Sequence, residues 1–303
     1  MKNQAGQSRI LLLGANGQLG WELRRSLLPL GEVLPLTRGE ADLADGEGLL
    51  RLLDLQQPTV IVNAAAYTAV DRAESEPEQA LRINGEAPGL LARWAAVRGV
   101  WLVHYSTDYV FDGRKDGAYV ESDPVHPMSV YGRSKRAGEE AILAAAAPAV
   151  ILRTSWVYAA RGQNFARTIL RLAAERESLQ VVADQWGAPT SAELLADATA
   201  LILWQLLQQP RNQERAGIYH LSAQGETSWH GYAQYLLAAA RDLGWSLRCA
   251  PEAVEAIPST AYPVPAPRPA NSRLDCRKVQ ERFGLYLPPW QLQVRRLLEE
   301  LRP

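Results

Sequence analysis

In SVYGRSKRAGEE, residues 129–140, Tyr131 and Lys135 stand four apart. On a helix that spacing puts both on one face. An ammonium beside a phenol favours the phenolate, and should draw the tyrosine below its ordinary pKa of about 10. A tyrosine tuned in this way can exchange a proton with a carbonyl oxygen near neutral pH. Upstream, HYSTDYVFDG (His104 to Gly113) runs from an apolar stretch into a cluster of hydroxyls with one acid, Asp108. Further upstream, GANGQLG sets Gly14, Gly17 and Gly20 between an apolar run and a helical pattern. Glycines there permit a tight turn and close approach of backbone to a pyrophosphate, with a helix N-terminus facing the negative charge. Tyr-x-x-x-Lys alone is common on solvated helices, and a glycine triplet alone is a common turn. Their order and separation make the combination specific.

The residues after the second apolar run bear on which dinucleotide binds. An acid there suits a ribose 2′-hydroxyl, and a base suits a 2′-phosphate. Thr37 and Arg38 occupy the place, with no acid before Glu40, which favours NADPH and leaves NADH open. Asp42 and Leu43 follow, near where an adenine would lie. NAAAYT, Asn63 to Thr68, supplies small residues where a cofactor would approach the strand ends.

These groups need a scaffold, and the hydrophobic pattern provides one. Strands are expected at residues 10–13, 33–36, 59–62, 100–105 and 150–152, and helices at 21–28, 49–55, 80–97 and 130–147. Alternation of this kind implies βαβ units, hence a Rossmann-type, doubly wound parallel sheet. We expect a dinucleotide-binding domain over residues 1–153, with return strands from about 178 to 222. Residues 154–303 should then form mainly a smaller α/β substrate-binding domain, with helices at 165–175, 192–207 and 289–301 and strands at 179–182 and 218–222. The Pro- and Ala-rich segment 251–273 reads either as a solvated linker or as a stiffened loop lining a site.

The chain has 303 residues, 47% of them hydrophobic and 21% charged, enough for a substantial core. A formal net charge of −1 gives no electrostatic reason to expect nucleic acid or an anionic membrane as partner. Cys249 and Cys276 have no metal-ligand spacing and are too few for a disulfide framework. The polar start MKNQAGQSR lacks an apolar signal core, and the run 141–152 is interrupted by Pro148 and is too short to span a bilayer. A reduced cytoplasmic setting is expected.

GANGQLG, STDYVF and YGRSK in this order resemble the extended short-chain dehydrogenase/reductase superfamily. Longer stretches, among them VNAAAYTAVDRAESEPE, RTSWVYAARGQNFARTILRLAAERESLQVVADQWGAPTSAELLAD and TAYPVPAPRPANSRLD, closely resemble the dTDP-4-dehydrorhamnose reductase family across almost the whole chain. The resemblance implies reduction of the 4-keto group of dTDP-4-dehydro-β-L-rhamnose by a reduced nicotinamide, giving dTDP-L-rhamnose for cell-surface polysaccharide. It implies Tyr131 as proton donor, Lys135 as its helper and ligand of the nicotinamide ribose, and Thr107 as the hydroxyl that orients the carbonyl oxygen. Gly17, Gln18 and Leu19 would hold the pyrophosphate. Asp42 and Leu43 would lie by the adenine, and Ala66, Tyr67, Thr68 and Tyr105 would touch the cofactor. Thr107, Asp108 and Trp156 would face the sugar nucleotide, Trp156 offering a flat apolar face to its 6-deoxy side. Arg268 has two readings, a diphosphate ligand or a structural ion pair.

Some members of the family bind magnesium through glutamates near a dimer contact. The matching positions are Glu22, Glu193 and Glu300, on separate expected helices, so Mg2+ and a homodimer are implied by resemblance only. Related dehydratases carry Asp-Glu after the threonine, whereas this chain has Asp108-Tyr109. A GDP-fucose-type epimerase-reductase would need a Cys/His pair that the strand ends lack. A non-catalytic regulatory subunit of the same fold remains an alternative, separable by an assay for turnover.

Overall fold

The structure is a computed structural model describing residues 8–209 and 213–302; the polar stretch at residues 1–7 lies outside the described residues. Buried aliphatic runs make the first strands: β1 (Ser8–Leu13), β2 (Gly31–Leu36), β3 (Val60–Asn63), β4 (Trp101–Thr107) and β5 (Ala149–Thr154). Between them come α1 (Gln18–Ser26), α2 (Gly46–Gln56), the short α3 (Val70–Ala73) and α4 (Pro77–Leu81), α5 (Ala87–Arg98) and α6 (Val130–Ala144). A π-helical turn, Arg82–Glu86, joins α4 to α5. The second half continues with β6 (Val157–Tyr158), α7 (Phe165–Glu175), β7 (Leu179–Val182), β8 (Trp186–Gly187), β9 (Thr190–Ser191), α8 (Ala192–Gln208), β10 (Gly217–His220), β11 (Thr227–Ser228), α9 (Trp229–Asp242), β12 (Val254–Ile257), α10 (Arg277–Phe283) and α11 (Trp290–Glu300).

Six strands form one sheet in the order β2-β1-β3-β4-β5-β10, all parallel. The expected α/β class is therefore the observed one. All-parallel sheets are covered on both faces, and two apolar clusters do this. One packs β1, β3, β4 and β5 against α1, α8 and α10 through residues such as Leu12, Leu23, Val103, Leu203 and Phe283. The other packs the opposite face against α2, α5 and α6 through residues such as Leu11, Leu53, Leu91 and Ile142. The chain leaves β1 towards β2 and then crosses to β3 on the other side, which makes β1/β3 the switch point where open α/β sheets bind ligands.

The strand expected near 218 is β10, on the edge of this sheet. The strand at 179–182 also forms, but it pairs with β12 outside the sheet. A third cluster joins α7, α9 and α11 with β7 and β12, and forms the core of the second half. The 251–273 segment supplies β12 and then a loop, so its site-lining reading prevails over the linker reading. No helix among the described residues is long and apolar enough to cross a membrane.

Candidate active site

The loop after β1 is shaped by backbone contacts. Gly14 has φ +79°, and a Cβ there would sit 2.7 Å from the amide nitrogen of Ala65, at the end of β3. A Cβ on Gly20 would sit 2.0 Å from the carbonyl oxygen of Gly14, so only hydrogen lets α1 press this closely on the turn. A Cβ on Gly17 would meet nothing closer than the Gly14 oxygen at 3.3 Å, and Gly17 starts α1 without a side-chain cap. The first turn of α1 holds no acid, so no carboxylate there opposes an anion at its free N–H groups. That cradle fits a dinucleotide pyrophosphate. Leu19 turns its side chain into the core and can offer only its backbone. Gln18 Oε1 accepts a hydrogen bond from Asn164 Nδ2 at 2.9 Å.

At the end of β2, Glu40 folds back on Thr37, accepting from its N–H at 2.9 Å and its hydroxyl at 2.8 Å. These bonds hold the Glu40 carboxyl below the usual carboxylate range. Arg38 is exposed and has no ion-pair partner among the described residues. Asp42 closes a turn by accepting from Ala44 N–H, and Leu43 is buried in the core. Ala66 is half-buried and Thr68 exposed. Tyr67 sends its hydroxyl to Glu76 at 2.7 Å, while Asn84 in the π-helical turn clamps both its N–H and its C=O. Asn84 also donates to Ser134 Oγ on α6 at 3.0 Å. It therefore ties the β3 end to the helix carrying the tyrosine and lysine.

Ser129 caps α6 by accepting from Gly132 N–H, which starts the helix one residue before Tyr131. Thr107, at the last residue of β4, brings its hydroxyl to the Tyr131 phenol, whose pKa it lowers. Its Oγ1 donates to Asp108 Oδ1 at 3.0 Å and accepts from Tyr109 N–H at 3.2 Å. Tyr109 meets the Tyr131 ring edge-on with centroids 5.5 Å apart. Asp108 is buried, and desolvation pushes its pKa up to about 6 despite help from Ser272 and Thr107. Its Oδ2 faces Ser272 without a partner at hydrogen-bonding distance.

The expected lowering of the tyrosine does not occur. Burial pushes Tyr131 up, the neighbouring Thr107 hydroxyl draws it part of the way back, and the Asp108 charge raises it again. Lys135 plays no part because its Nζ is engaged elsewhere. It donates to the Tyr105 carbonyl at 2.6 Å and lies 3.3 Å from His104 Nε2. Burial pushes Lys135 down to about 8, opposed by Glu139 one turn along. Glu139 is itself held in a buried bidentate pair by Arg153, at 2.8 and 2.6 Å. The Tyr105 side chain points to the other face of the sheet, where its hydroxyl bonds Thr199 on α8 at 2.6 Å.

Beside this group opens a cleft of about 830 Å³, lined by Tyr109, Trp156, Arg176, Trp229, Tyr262 and Arg268 among others. Trp156 has φ +49°, a left-handed conformation that costs energy in a bulky residue. It stacks on Trp229 with centroids 3.6 Å apart and an angle of 13°. Gly187 makes room for it, since a Cβ there would come within 2.7 Å of the indole. Arg268 forms an ion pair with Asp71 at 2.7 Å on the cleft wall, so its structural reading is realised and its head group borders the site.

Glu22, Glu193 and Glu300 do come near one another: after burial, Glu300 and Glu193 are the largest influences raising Glu22. They form no ligand cluster, since no group of three or more acids, histidines or cysteines among the described residues could hold a metal. Glu193 is instead taken by Arg296, with two contacts of 2.6 Å. Within one chain, then, the three glutamates do not by themselves make up a magnesium site. Sequence reasoning missed Asn84, His104, Trp229 and Glu139. Only Glu139 carried a signal, its i+8 spacing from Tyr131.

Comparison with known proteins identifies the family. The family model "RmlD substrate binding domain" matches residues 8–302. A dTDP-4-dehydrorhamnose reductase of Burkholderia thailandensis is 50% identical over 94% of this chain and 96% of its own length. The Escherichia coli K12 protein of the same name is 49% identical over 96% and 97%. The crystal structure of the Bacillus anthracis reductase in complex with NADP superposes with a TM-score of 0.87 at 30% identity, over 97% and 99% of the two chains. Similarity that spans both the cradle and the cleft assigns the chain to the dTDP-4-dehydrorhamnose reductase family.

Proposed function

We propose that this protein reduces the 4-keto group of dTDP-4-dehydro-β-L-rhamnose to the alcohol, with NADPH preferred over NADH. The carrying observation is the juxtaposition of Thr107, at the end of β4, with Tyr131 on α6, beside both the glycine cradle and the aromatic cleft. A bound reduced nicotinamide supplies the hydride. The protein's own groups must then stabilise the oxyanion that develops at C4 and protonate it. Thr107 has one hydroxyl proton, given in this structure to Asp108, and turning it towards the carbonyl oxygen aims a donor at the developing charge. Tyr131 delivers its phenolic proton to that oxygen, forming the C4 hydroxyl. Burial keeps the phenol protonated until an oxyanion is present, so it acts as an acid at neutral pH and not as a resting phenolate.

Trp156 and Trp229 present a flat apolar wall to the sugar, and Arg268 sits where it can add a hydrogen bond to the diphosphate on breaking from Asp71. Asp108, neutral below about pH 6, can donate to or accept from a sugar hydroxyl. Arg38, with Glu40 turned back on Thr37, supports the NADPH preference. The sheet half holds the cofactor and the second half mainly the sugar nucleotide. The cytoplasm, which supplies reduced nicotinamide and activated sugars, is the proposed location.

The test is consumption of NADPH with the 4-keto sugar nucleotide, followed by absorbance, for the wild type and for Tyr131→Phe. The variant should keep cofactor affinity and lose about 10²–10⁴-fold in kcat. A wild type that binds NADPH tightly but never consumes it would turn the assignment towards a regulatory subunit. A fully active Tyr131→Phe would remove the proton-donor role.

A further inference from the structure

The second half of the chain reaches over the cofactor cradle just past β6, where the segment 159–164 lies against the start of α1. Gly162, at φ +72°, comes so near that a Cβ there would sit 3.1 Å from Gln18 Cγ. Arg161 lays its guanidinium over the Trp21 ring, 3.5 Å from the centroid. Asn164 ends the segment, and its side chain makes three hydrogen bonds. Its Oδ1 accepts from Arg167 N–H at 3.1 Å, which caps α7. Its Nδ2 donates to the Ala159 carbonyl at 2.7 Å and to Gln18 Oε1 at 2.9 Å. A backbone N–H can only donate and a backbone carbonyl can only accept, so the two ends of the Asn164 amide cannot be exchanged. The Gln18 atom that meets Asn164 Nδ2 must then be its oxygen, and Gln18 Nε2 has no hydrogen-bond partner among the described residues. Gln18 is the first residue of α1, and a helical Cα–Cβ bond leans towards the helix N-terminus. Its carboxamide is therefore carried towards the end of the helix where the N–H groups are free.

We propose that Asn164 is a positioning residue for the dinucleotide: it holds Gln18 by the oxygen, so that the Gln18 NH2 donates to the cofactor pyrophosphate alongside the free N–H groups of α1. The inference rests on the dinucleotide reading of the cradle and deepens it. A glutamine without this neighbour can turn either end of its amide to the phosphates, and its oxygen would repel them. Fixing the amide beforehand excludes the repelling orientation and leaves less side-chain freedom to lose on binding. The same asparagine starts α7, whose Phe165, Thr168 and Ile169 line the sugar cleft. A residue of the sugar-binding half thus sets the hydrogen-bonding polarity of the cofactor site.

The test is titration of NADPH fluorescence, without nucleotide sugar, for the wild type, Gln18→Met, Asn164→Ser and the double variant. Met keeps the length and neutrality of Gln18 and removes its NH2. Ser still caps α7 and is too short to reach Gln18. Gln18→Met should weaken NADPH about tenfold, the loss of one hydrogen bond to a charged group, and Asn164→Ser about threefold or more. The double variant should bind no worse than Gln18→Met, because Asn164 acts through Gln18. In turnover, KM for NADPH should rise in step while kcat stays within about twofold. A contact that only ties the two halves together would lower the melting temperature and leave affinity unchanged, which overturns the proposal. Losses that multiply in the double variant overturn it too. Should Asn164→Ser not fold, Asn164→Asp replaces it, since Asp also caps a helix and would turn the Gln18 amide round. It should then weaken NADPH more with Gln18 present than in Gln18→Met, and equal losses overturn the proposal. A wild type that binds no NADPH overturns the dinucleotide reading as well, whereas a wild type that binds it no better than its variants overturns this inference alone.

Discussion

The cofactor cradle and the sugar cleft are adjacent, yet they are built on different principles. In the cradle, what matters is where side chains are missing: Gly14 and Gly20 let backbone meet backbone. In the cleft, what matters is a stack of side chains brought from distant parts of the chain, Trp156 from β5's exit and Trp229 from α9. A backbone contact cannot yield to an added methyl, whereas a stacked ring that is removed leaves a space the neighbours partly fill. The two regions should therefore fail differently.

The largest contrast comes from Gly20→Ala. Its methyl would meet the Gly14 carbonyl at 2.0 Å, so α1 must back away from the turn. We expect a loss of stability of about 1–3 kcal/mol and severely weakened dinucleotide binding, checked by thermal unfolding and by titration of NADPH fluorescence. Near-normal affinity would show that the cradle tolerates displacement, and the comparison would collapse. Trp156→Ala should come next. It removes the stacked face, so KM for the sugar nucleotide should rise about tenfold or more while cofactor affinity stays within twofold. A matching loss of cofactor affinity would mean that the two regions are not separable. Arg38→Ala should have the smallest effect, raising KM for NADPH about tenfold while leaving NADH unchanged. If both cofactors are weakened alike, Arg38 serves the fold of the β2 end and not the choice of dinucleotide.

The same division explains what could be read from the residues alone. The cradle was legible because its determinants are local: a buried apolar strand, three glycines and a helix start lie within fourteen residues, 8–21. The main-sheet strands were legible for the same reason, since buried parallel strands are short apolar runs. The cleft was legible only in part. Trp156 stood out, but its partner did not, because nothing in WHGYAQYLLAAARD says which distant ring it will meet. Strand β7 could be located but not its neighbour: β12 is four residues, VEAI, inside a segment whose prolines suggest a loop. The Tyr131–Lys135 spacing was read correctly as one helix face, and the electrostatic consequence drawn from it was wrong. Spacing fixes where two side chains start, but not that the lysine will be claimed by the Tyr105 carbonyl and the His104 ring.

The π-helical turn at Arg82–Glu86 has a consequence for how this chain tolerates changes of length. Residues 80–97 read as one amphipathic helix, but the turn holds one residue more than an α-helix needs, so its two ends run out of phase. That surplus brings Asn84 to both Tyr67 and Ser134 while Gly89 still meets α6. Deleting one residue here would give a more regular helix of nearly unchanged helical content. It would also swing everything on one side of the cut by about 100° around the axis. Insertions and deletions are usually accommodated in loops, and here the loss of a single codon inside a helix would break contacts on two sides of it.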